Sequence, residues 1–159
     1  MAIYNVEVLE TTVTFDVHPR DHDEQLEWIA DHRGIHAALV AVDPDGTELP
    51  RGARGEPIAG FASLGPYRYR AAYATTVEDS VYVSRLARGQ GVGRLLLEGL
   101  IEVAEAAGFH SLIARVVGEN AGSIRLHEAC GFELVGIEKE VGRKHGKWLD
   151  VVELQRLVL

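Results

Sequence analysis

The sequence predicts a single α+β domain in which strand-like and helix-like runs surround one core. The chain has 159 residues, a length typical of one domain, and 47% of them are apolar, enough to form a buried core. One strand–helix–strand crossover extends from Val81 to Val117, between runs that favour hairpins. We find no internal repeat, linker or low-complexity segment, so we expect one domain over residues 1–159.

The N-terminal elements are predicted from local patterns. Val6 to Asp16 contains many β-branched residues, which favours an extended segment or the exit from a helix. Arg20 to His32 follows a proline and precedes Gly34, which predicts a short amphipathic helix. The face of this helix expected to be buried consists of Leu26, Ile29 and Ala30.

Three strands are expected next, before the crossover helix. Ala37 to Val42 has the apolar run of a buried strand, and Ile58 to Leu64 and Thr75 to Val83 have the composition of two more. The turn signal Asp43-Pro44-Asp45-Gly46 opens a polar stretch to Pro57, which predicts a long hairpin loop.

The second half alternates helix and strand. Leu95 to Ala107 predicts a helix ended by Gly108, with one apolar face formed by Leu96, Leu100, Val103 and Ala107. The elements expected after it are a strand at Ser111–Val117, a short helix at Asn120–Cys130 closed by Gly131, and strands at Phe132–Val141 and Trp148–Leu157, joined by the loop Gly142–Lys147.

Charge and composition exclude several function classes. The net charge of −8 argues against a general nucleic-acid binder, while arginines cluster between Arg68 and Arg94, which fits a small anionic ligand. No apolar run reaches the ~20 residues of a membrane span, and the N-terminus does not resemble a signal peptide, so we expect a soluble cytoplasmic protein without membrane contact. The one cysteine, Cys130, excludes an internal disulfide, and no residues show metal-ligand spacing, so no metal is expected.

The segment from Val81 to Arg94 is the most informative part of the chain. A strand-like run ends in a cationic glycine loop that opens directly into the predicted helix. Glycines allow the backbone to approach phosphates, and the first-turn N–H groups and dipole of a helix favour negative charge. The segment therefore predicts a site for a phosphorylated ligand, against the plainer alternative of a glycine-rich turn without ligand.

The spacing of the glycines narrows the choice of ligand. A P-loop needs Lys and then Ser or Thr after its second glycine, whereas Arg94 and Leu95 follow Gly93 here. A dinucleotide fingerprint needs a third glycine, but its position is occupied by Arg94 or Leu96, depending on the register. The remaining pattern, Arg88-x-x-Gly91-x-Gly93, resembles that of the GNAT N-acetyltransferase superfamily.

Further motifs are similar to one subgroup of that superfamily, the phosphinothricin and methionine sulfone or sulfoximine N-acetyltransferases. They are Ile3-Tyr4-Asn5, Thr11-Thr12-x-Thr14-Phe15, Arg70-x-Ala72-Tyr73, Thr76 to Val83, Asn120 to Phe132 and Lys144 to Val151. The resemblance implies a mixed, mostly antiparallel sheet flanked by helices. Relatives usually carry one more strand before Ile3-Tyr4-Asn5, so that strand is expected to be missing, and the stretch from Asp43 to Pro57 looks inserted. That stretch is expected to be a surface excursion or to touch a partner subunit.

The resemblance also implies the co-substrate, acetyl-CoA, and the residues that hold it. The strand before the loop is expected to bind the pantetheine arm through its backbone, with the amides near Val83 polarising the acetyl carbonyl. The loop amides are expected to hold the pyrophosphate. The residues carried over are Val81, Tyr82, Val83, Arg88, Gly89, Gln90, Gly91, Val92, Gly93, Arg94, Asn120 and Ser123.

Two residues are candidates for acid–base chemistry. Glu78 matches the family's general base, and a carboxylate beside an apolar cavity would have a raised pKa. The alternative is an exposed glutamate at the end of a strand. His127 occupies the position where most GNAT enzymes have a tyrosine acid, and imidazole titrates near neutrality. It is expected to act as acid or base, or to pack on the core.

The acceptor pocket is less well defined by the sequence. Arg70 suits a carboxylate clamp because guanidinium pairs bidentately with carboxylates. The other candidates by family position are Thr12, Phe15, Tyr73 and Lys144. The leading expectation is N-acetylation of a small amino acid by a homodimer. The alternatives are a GNAT enzyme for a polyamine, an aminoglycoside or a protein N-terminus, and a non-catalytic acyl-CoA-binding module.

Overall fold

The computed structural model of the chain describes residues 1–158. The helices are α1 (Ala2–Glu10), α2 (His22–Asp31), α3 (Val92–Ala106) and α4 (Ala121–Ala129), with 3-10 turns at Ala71–Tyr73 and Arg85–Ala87. The strands are β1 (Ala38–Val42), β2 (Ile58–Pro66), β3 (Thr76–Val83), β4 (Ser111–Val117), β5 (Glu133–Lys144) and β6 (Lys147–Leu157).

The strands form one mixed sheet. Their order is β1-β2-β3-β4-β6-β5, and every neighbouring pair is antiparallel except β3 and β4, which are parallel and joined through α3. This arrangement confirms the α+β class, the mostly antiparallel sheet and the single crossover expected from the sequence. Along the chain, α1 and α2 come before β1, the first strand of the sheet.

The main core lies between α3 and the sheet. The helix begins at Val92, three residues before the predicted start, and buries Leu96, Leu97, Leu100, Ile101 and Ala104. These side chains pack on Ala62, Leu64 and Val77 of the sheet, with Val103 and Ala107 partly buried at the margin. Fully burying a leucine contributes about 1.5–3 kcal/mol, so this helix fixes the sheet strands that carry the glycine loop.

The N-terminal segment is helical where the extended alternative was predicted. Helix α1 runs to Glu10, and the chain leaves it at Thr11, so the other alternative, the exit from a helix, is correct. Ile3, Tyr4, Glu7 and Val8 are buried, at the spacing of one helix face. Tertiary packing of this face overrides the β-branched local composition.

Helix α2 and strand β1 are more exposed than predicted. A capping box between Asp21 and Glu24 starts α2, but Leu26 and Ile29 are 52% and 42% exposed, so the predicted buried face is wrong. The helix instead contacts the sheet through Trp28, whose ring meets Phe61 edge-on at 5.7 Å between centroids. Strand β1 lies at the sheet edge, and its Val40 and Val42 are about half exposed rather than buried.

Both predicted hairpin connections exist, with different detail. The stretch from Asp43 to Pro57 joins β1 to β2, and Leu49 from it is buried against Ala59 and Ala87. At the other hairpin, the predicted loop is mostly strand, because β5 continues to Lys144 and β6 starts at Lys147. Only His145 and Gly146 form the turn, both with positive φ.

Candidate active site

The site lies where β3 and β4 separate. The two parallel strands pair over only three positions, Thr76 with Ser111, Val77 with Leu112 and Glu78 with Ile113. Beyond them β3 continues against β2, and β4 continues against β6. The facing edges of both strands are therefore free of a neighbouring strand, and a cavity of about 770 Å³ opens between them.

The free edge of β3 supplies backbone groups to this cavity. Val81, Tyr82 and Val83 line it, and their unpaired N–H and C=O groups suit the amides of a pantetheine arm. The other side of the strand is held tightly, because a Cβ at Gly60 would lie 2.8 Å from the carbonyl oxygen of Tyr82. β2 thus fixes the strand that faces the ligand.

The glycine loop continues the cavity into the start of α3. Gly89 and Gly91 have φ of 73° and 83°, a region that favours glycine. Gly91 is also the N-cap of α3 and offers no side-chain acceptor, so the first-turn amides remain available to an anion. Val92, Gly93 and Arg94 line the cavity, whereas Gln90 does not and donates from Nε2 to the carbonyl of Leu86 at 3.2 Å.

Arg88 and Arg94 are both ion-paired within the protein. Arg88 donates from Nη2 to Oε1 of Glu7 at 2.8 Å, and Arg85 reaches the same carboxylate at 3.3 Å. The Glu7 side chain is only 5% exposed, so α1 is tied to the glycine loop through a buried acid. Arg94 pairs with Glu98 one turn further along α3, at 2.7 Å.

Glu78 lies at the point where the strands part and lines the cavity. Burial raises the pKa of its carboxyl group, and the nearby Arg115 guanidinium partly opposes that rise. A raised pKa brings the carboxylate nearer to the pH at which a general base works best.

His127 approaches the cavity from α4. Its Nε2 lies 2.9 Å from Oδ2 of Asp79, and its Nδ1 lies 2.7 Å from the carbonyl oxygen of Ser123. Burial lowers the pKa of His127, but the hydrogen bond and charge of Asp79, together with the hydrogen bond to the Ser123 carbonyl, raise it by more, so the pKa lies above its usual value. Asn120 caps this helix by accepting from the Ser123 amide at 3.2 Å, and both residues line the cavity.

Comparison with known proteins identifies this architecture. The model of the acetyltransferase (GNAT) family matches residues 2–132. The chain belongs to the GNAT family. It is an acetyl-CoA-dependent N-acetyltransferase, as the glycine loop and the further motifs led us to expect.

Individual GNAT proteins resemble the whole chain. A methionine sulfoximine/methionine sulfone acetyltransferase of Pseudomonas paraeruginosa is 40% identical over 98% of this chain and 85% of its own. A phosphinothricin acetyltransferase of Sinorhizobium meliloti, solved in complex with acetyl-CoA, has a TM-score of 0.86 and is 37% identical over 99% of this chain and 80% of its own. A ribosomal-protein-alanine N-acetyltransferase of Brucella melitensis has a TM-score of 0.89 and is also 37% identical, over 99% and 91%.

Of the residues predicted to bind the acceptor from the GNAT resemblance, only some line the cavity. Phe15 lines it, while Thr12, Arg70, Tyr73 and Lys144 do not. Lys144 is buried and donates from Nζ to the carbonyl of Thr14 at 2.8 Å, so its ammonium is used inside the fold. Arg70 is exposed, and Tyr73 meets Tyr67 edge-on in the same loop. Their role toward an acceptor stays a prediction.

The cavity of this GNAT protein also includes charged residues that the sequence analysis did not single out. They are Glu7 and Asp16 near the N-terminus, Asp79 on β3 and Arg115 on β4. Arg115 forms an ion pair with Glu138 of β5. Asp79 could have been noticed in the sequence, because it is a second carboxylate directly beside the candidate base Glu78. Glu7 had none, because its arginine partners lie about 80 residues away along the chain.

Two further properties bear on the function of the enzyme. Within residues 1–158, no group of three His, Cys, Asp or Glu side chains is arranged to hold a metal ion. None of the helices in that range is long and apolar enough to span a membrane.

Proposed function

We propose that the enzyme acetylates the α-amine of a small zwitterionic amino acid of the phosphinothricin or methionine sulfone and sulfoximine type. The observation that carries this proposal is the placement of Glu78, a partly buried carboxylate at the point where β3 and β4 part, near the cationic Arg115. The relatives named for these substrates match almost the entire chain.

In this proposal Glu78 is the general base. It accepts a proton from the acceptor ammonium, directly or through one water, and the free amine then attacks the thioester carbonyl. The new N–C bond forms, the C–S bond breaks, and sulfur leaves with the electron pair. The nitrogen releases its second proton to water, and Glu78 returns the first one to solvent. The amides near Val83 donate to the carbonyl oxygen as negative charge develops on it. His127 lies close by to supply a proton to the leaving sulfur.

The charges of the cavity favour a zwitterion as acceptor. Asp16 and Glu78 attract an ammonium group, and Arg115 attracts a carboxylate or a phosphinate. A polyamine would find Arg115 repulsive. Arg70 and Lys144 remain the predicted acceptor cations by family position, and Thr12, Phe15 and Tyr73 the predicted neutral contacts.

A second candidate acceptor is a protein N-terminus. It is favoured by the likeness to the ribosomal-protein-alanine N-acetyltransferase, which covers the whole chain at the same identity as the phosphinothricin enzyme. An N-terminal amine offers no nearby carboxylate to Arg115. An acceptor panel that includes a peptide beginning with alanine separates the two candidates.

The proposal also covers assembly and location. Strand β5 lies at the sheet edge and exposes a row of apolar side chains, Leu134, Val135, Ile137 and Val141, with Trp148 beside them. An exposed apolar edge strand of this length is typical of an interface, so we infer that two copies associate there. Ile137→Lys should convert the homodimer to a monomer in sedimentation or light scattering, and an unchanged mass would contradict this interface. The need for acetyl-CoA supports a cytoplasmic location.

The decisive experiment is a thiol-release assay with acetyl-CoA and a panel of amines. We expect turnover with methionine sulfone, methionine sulfoximine or phosphinothricin, and a loss of roughly 10²–10⁴-fold in kcat for Glu78→Gln. The matched control is Glu102→Gln, which changes an exposed glutamate of α3. Equal rates for the two variants would remove Glu78 as the base.

The same assay tests the non-catalytic alternative. Acetyl-CoA should raise the melting temperature of the wild type and of Glu78→Gln alike, because Glu78 is not part of the glycine loop. A thermal shift without turnover on any amine would identify an acyl-CoA-binding module instead.

A further inference from the structure

Asp79 and His127 form a buried pair between β3 and α4. Asp79 follows Glu78 on the strand, so the two carboxylates point to opposite faces of the sheet. The side chains of Asp79 and His127 are 1% and 4% exposed, and Nε2 lies 2.9 Å from Oδ2. Both residues nevertheless line the cavity of the active site.

The hydrogen bonds of the ring determine how many protons His127 holds. The Ser123 carbonyl oxygen, 2.7 Å from Nδ1, can only accept, so Nδ1 carries a hydrogen. The contact between Nε2 and the carboxylate needs a second hydrogen between those two atoms. The pair therefore holds two protons, and His127 has no free lone pair with which to take a proton from an amine.

Few other groups oppose this state. From the turn after α4, the ring of Phe132 meets the imidazole edge-on at 5.1 Å and carries no charge. Oδ1 of Asp79 is buried without a hydrogen-bond partner among the described residues, so the carboxylate charge is poorly compensated and attracts a cation strongly. Titratable groups near Asp79 are Glu78 and Cys130. The pKa of Glu78 is raised by burial first and by Asp79 among the nearby charges. The thiol pKa of Cys130 is likewise raised by burial first, and Asp79 is among the charges that raise it further.

We propose that Asp79 is a positioning residue that keeps His127 doubly protonated, which makes His127 the proton donor to the leaving sulfur and leaves Glu78 as the base. When the C–S bond breaks, sulfur takes the electron pair and then the Nε2 proton. This transfer breaks the Nε2–H hydrogen bond to Oδ2 and leaves a neutral imidazole beside the Asp79 carboxylate. His127 keeps its Nδ1 hydrogen, and the pair regains a proton from solvent after the products leave. This assignment of roles rests on the proposed acetyl transfer.

The protonation state can be measured without any substrate. In ¹⁵N NMR spectra of the wild type with labelled histidine, both ring nitrogens of His127 should remain protonated through neutral pH. In Asp79→Asn the titration midpoint should fall by roughly one to three pH units, the usual effect of removing an adjacent opposite charge. An Asn amide can donate to Nε2 of a neutral ring, so the variant retains a hydrogen bond at this position. A bare ring nitrogen in the wild type at neutral pH would overturn the proposal.

The pH dependence of kcat tests the role in catalysis. If His127 is the acid, activity falls on the alkaline side as the pair loses its proton, and Asp79→Asn should move that alkaline limb to lower pH by a similar amount. If Asp79 is only structural, kcat or stability falls while the limb stays in place, and the proposal fails. If Asp79→Asn moves the acidic limb of the kcat profile instead, His127 acts as a base, and this result also overturns the proposal.

Control measurements separate this proposal from the proposed function. Asp150→Asn removes a carboxylate that pairs with Lys139 at 2.9 Å on the β5–β6 hairpin, and it should leave both the His127 titration and the alkaline limb unchanged. If the wild type transfers acetyl groups to no amine, the proposed function fails, while the NMR titration still decides whether Asp79 protonates His127. Acetyl-CoA affinity should be the same in Asp79→Asn and the wild type.

Discussion

The ring of Phe15 lies directly on the backbone of Gly142. A Cβ added at Gly142 would be 2.4 Å from both Cε2 and Cζ of that ring, far inside van der Waals contact. Phe15 comes from the segment after α1 and lines the active-site cavity, whereas Gly142 belongs to β5. The absence of a side chain on β5 therefore sets the position of an aromatic wall of the proposed acceptor pocket.

Gly142→Val is expected to impair use of the acceptor and to spare acetyl-CoA. The new side chain must displace the Phe15 ring, and small misplacements of positioning groups can cost on the order of 10²-fold in rate. We expect kcat/KM for the amine to fall by roughly ten- to a hundredfold while the Kd of acetyl-CoA stays unchanged. Gly136→Val is the matched control, because nothing lies within 4 Å of a Cβ at that position of the same strand. Equal losses in both variants would contradict the role of Phe15.

The contact between Phe15 and Gly142 shows where prediction from the sequence ends. The crossover, the glycine loop and α3 were predictable because their signals are local: helical periodicity, closely spaced glycines and a strand-like run directly before them. Phe15 was selected by family position, but no local pattern indicates which backbone it rests on. For the same reason the sequence left α1 open between an extended segment and the exit from a helix, since its buried face has meaning only against Tyr82, whose ring meets that of Tyr4 edge-on at 5.0 Å.

The charges of the site were harder to predict than its shape. Arg88 was expected to act on the pyrophosphate, but nothing in the sequence indicated its pairing with Glu7. Lys144 was selected by family position as a cation near the acceptor, and it is buried and donates to the carbonyl of Thr14. In both cases the partner comes from the N-terminal segment, where the secondary structure itself was uncertain.

The glycine loop provides a second prediction, with an internal control. Gly91 and Gly55 have nearly the same φ, 83° and 82°, and at neither position would an added Cβ have a heavy atom within 4 Å. Substituting Glu at either position costs about 1–2 kcal/mol of backbone strain. We expect both variants to melt earlier by similar amounts, but only Gly91→Glu to lose the increase in melting temperature caused by acetyl-CoA. A retained ligand shift in Gly91→Glu would contradict the loop assignment.

Glu7 is expected to matter for stability far more than its neighbour Glu10. Both pair with arginines of the segment before α3, but the Glu7 side chain is 5% exposed and that of Glu10 is 59% exposed. Glu7→Gln should lower the free energy of unfolding by about 1–2 kcal/mol, the size of charged hydrogen bonds with half-exposed partners. Glu10→Gln should change it by less than ~0.5 kcal/mol. Urea unfolding of both variants measures the difference, and equal losses would show that Glu7 does not anchor α1.

The raised pKa of His127 predicts how its contribution to stability depends on pH. The folded pKa of His127 is above the unfolded value of about 6.5. Burial lowers it, but the hydrogen bond and charge of Asp79 and the hydrogen bond to the Ser123 carbonyl together outweigh that effect. Folding therefore favours the protonated ring, and the stabilisation is fully present below about pH 6.5 and is lost as pH rises through the folded pKa. The difference in unfolding free energy between the wild type and His127→Gln should thus shrink from pH 6 to pH 9. The pKa of Glu78 is also raised, but both proteins retain Glu78, so its contribution to the pH dependence cancels in this difference. In an Asp79→Asn background the difference should vary little over the same range, and a constant difference in the wild-type background would refute the coupling.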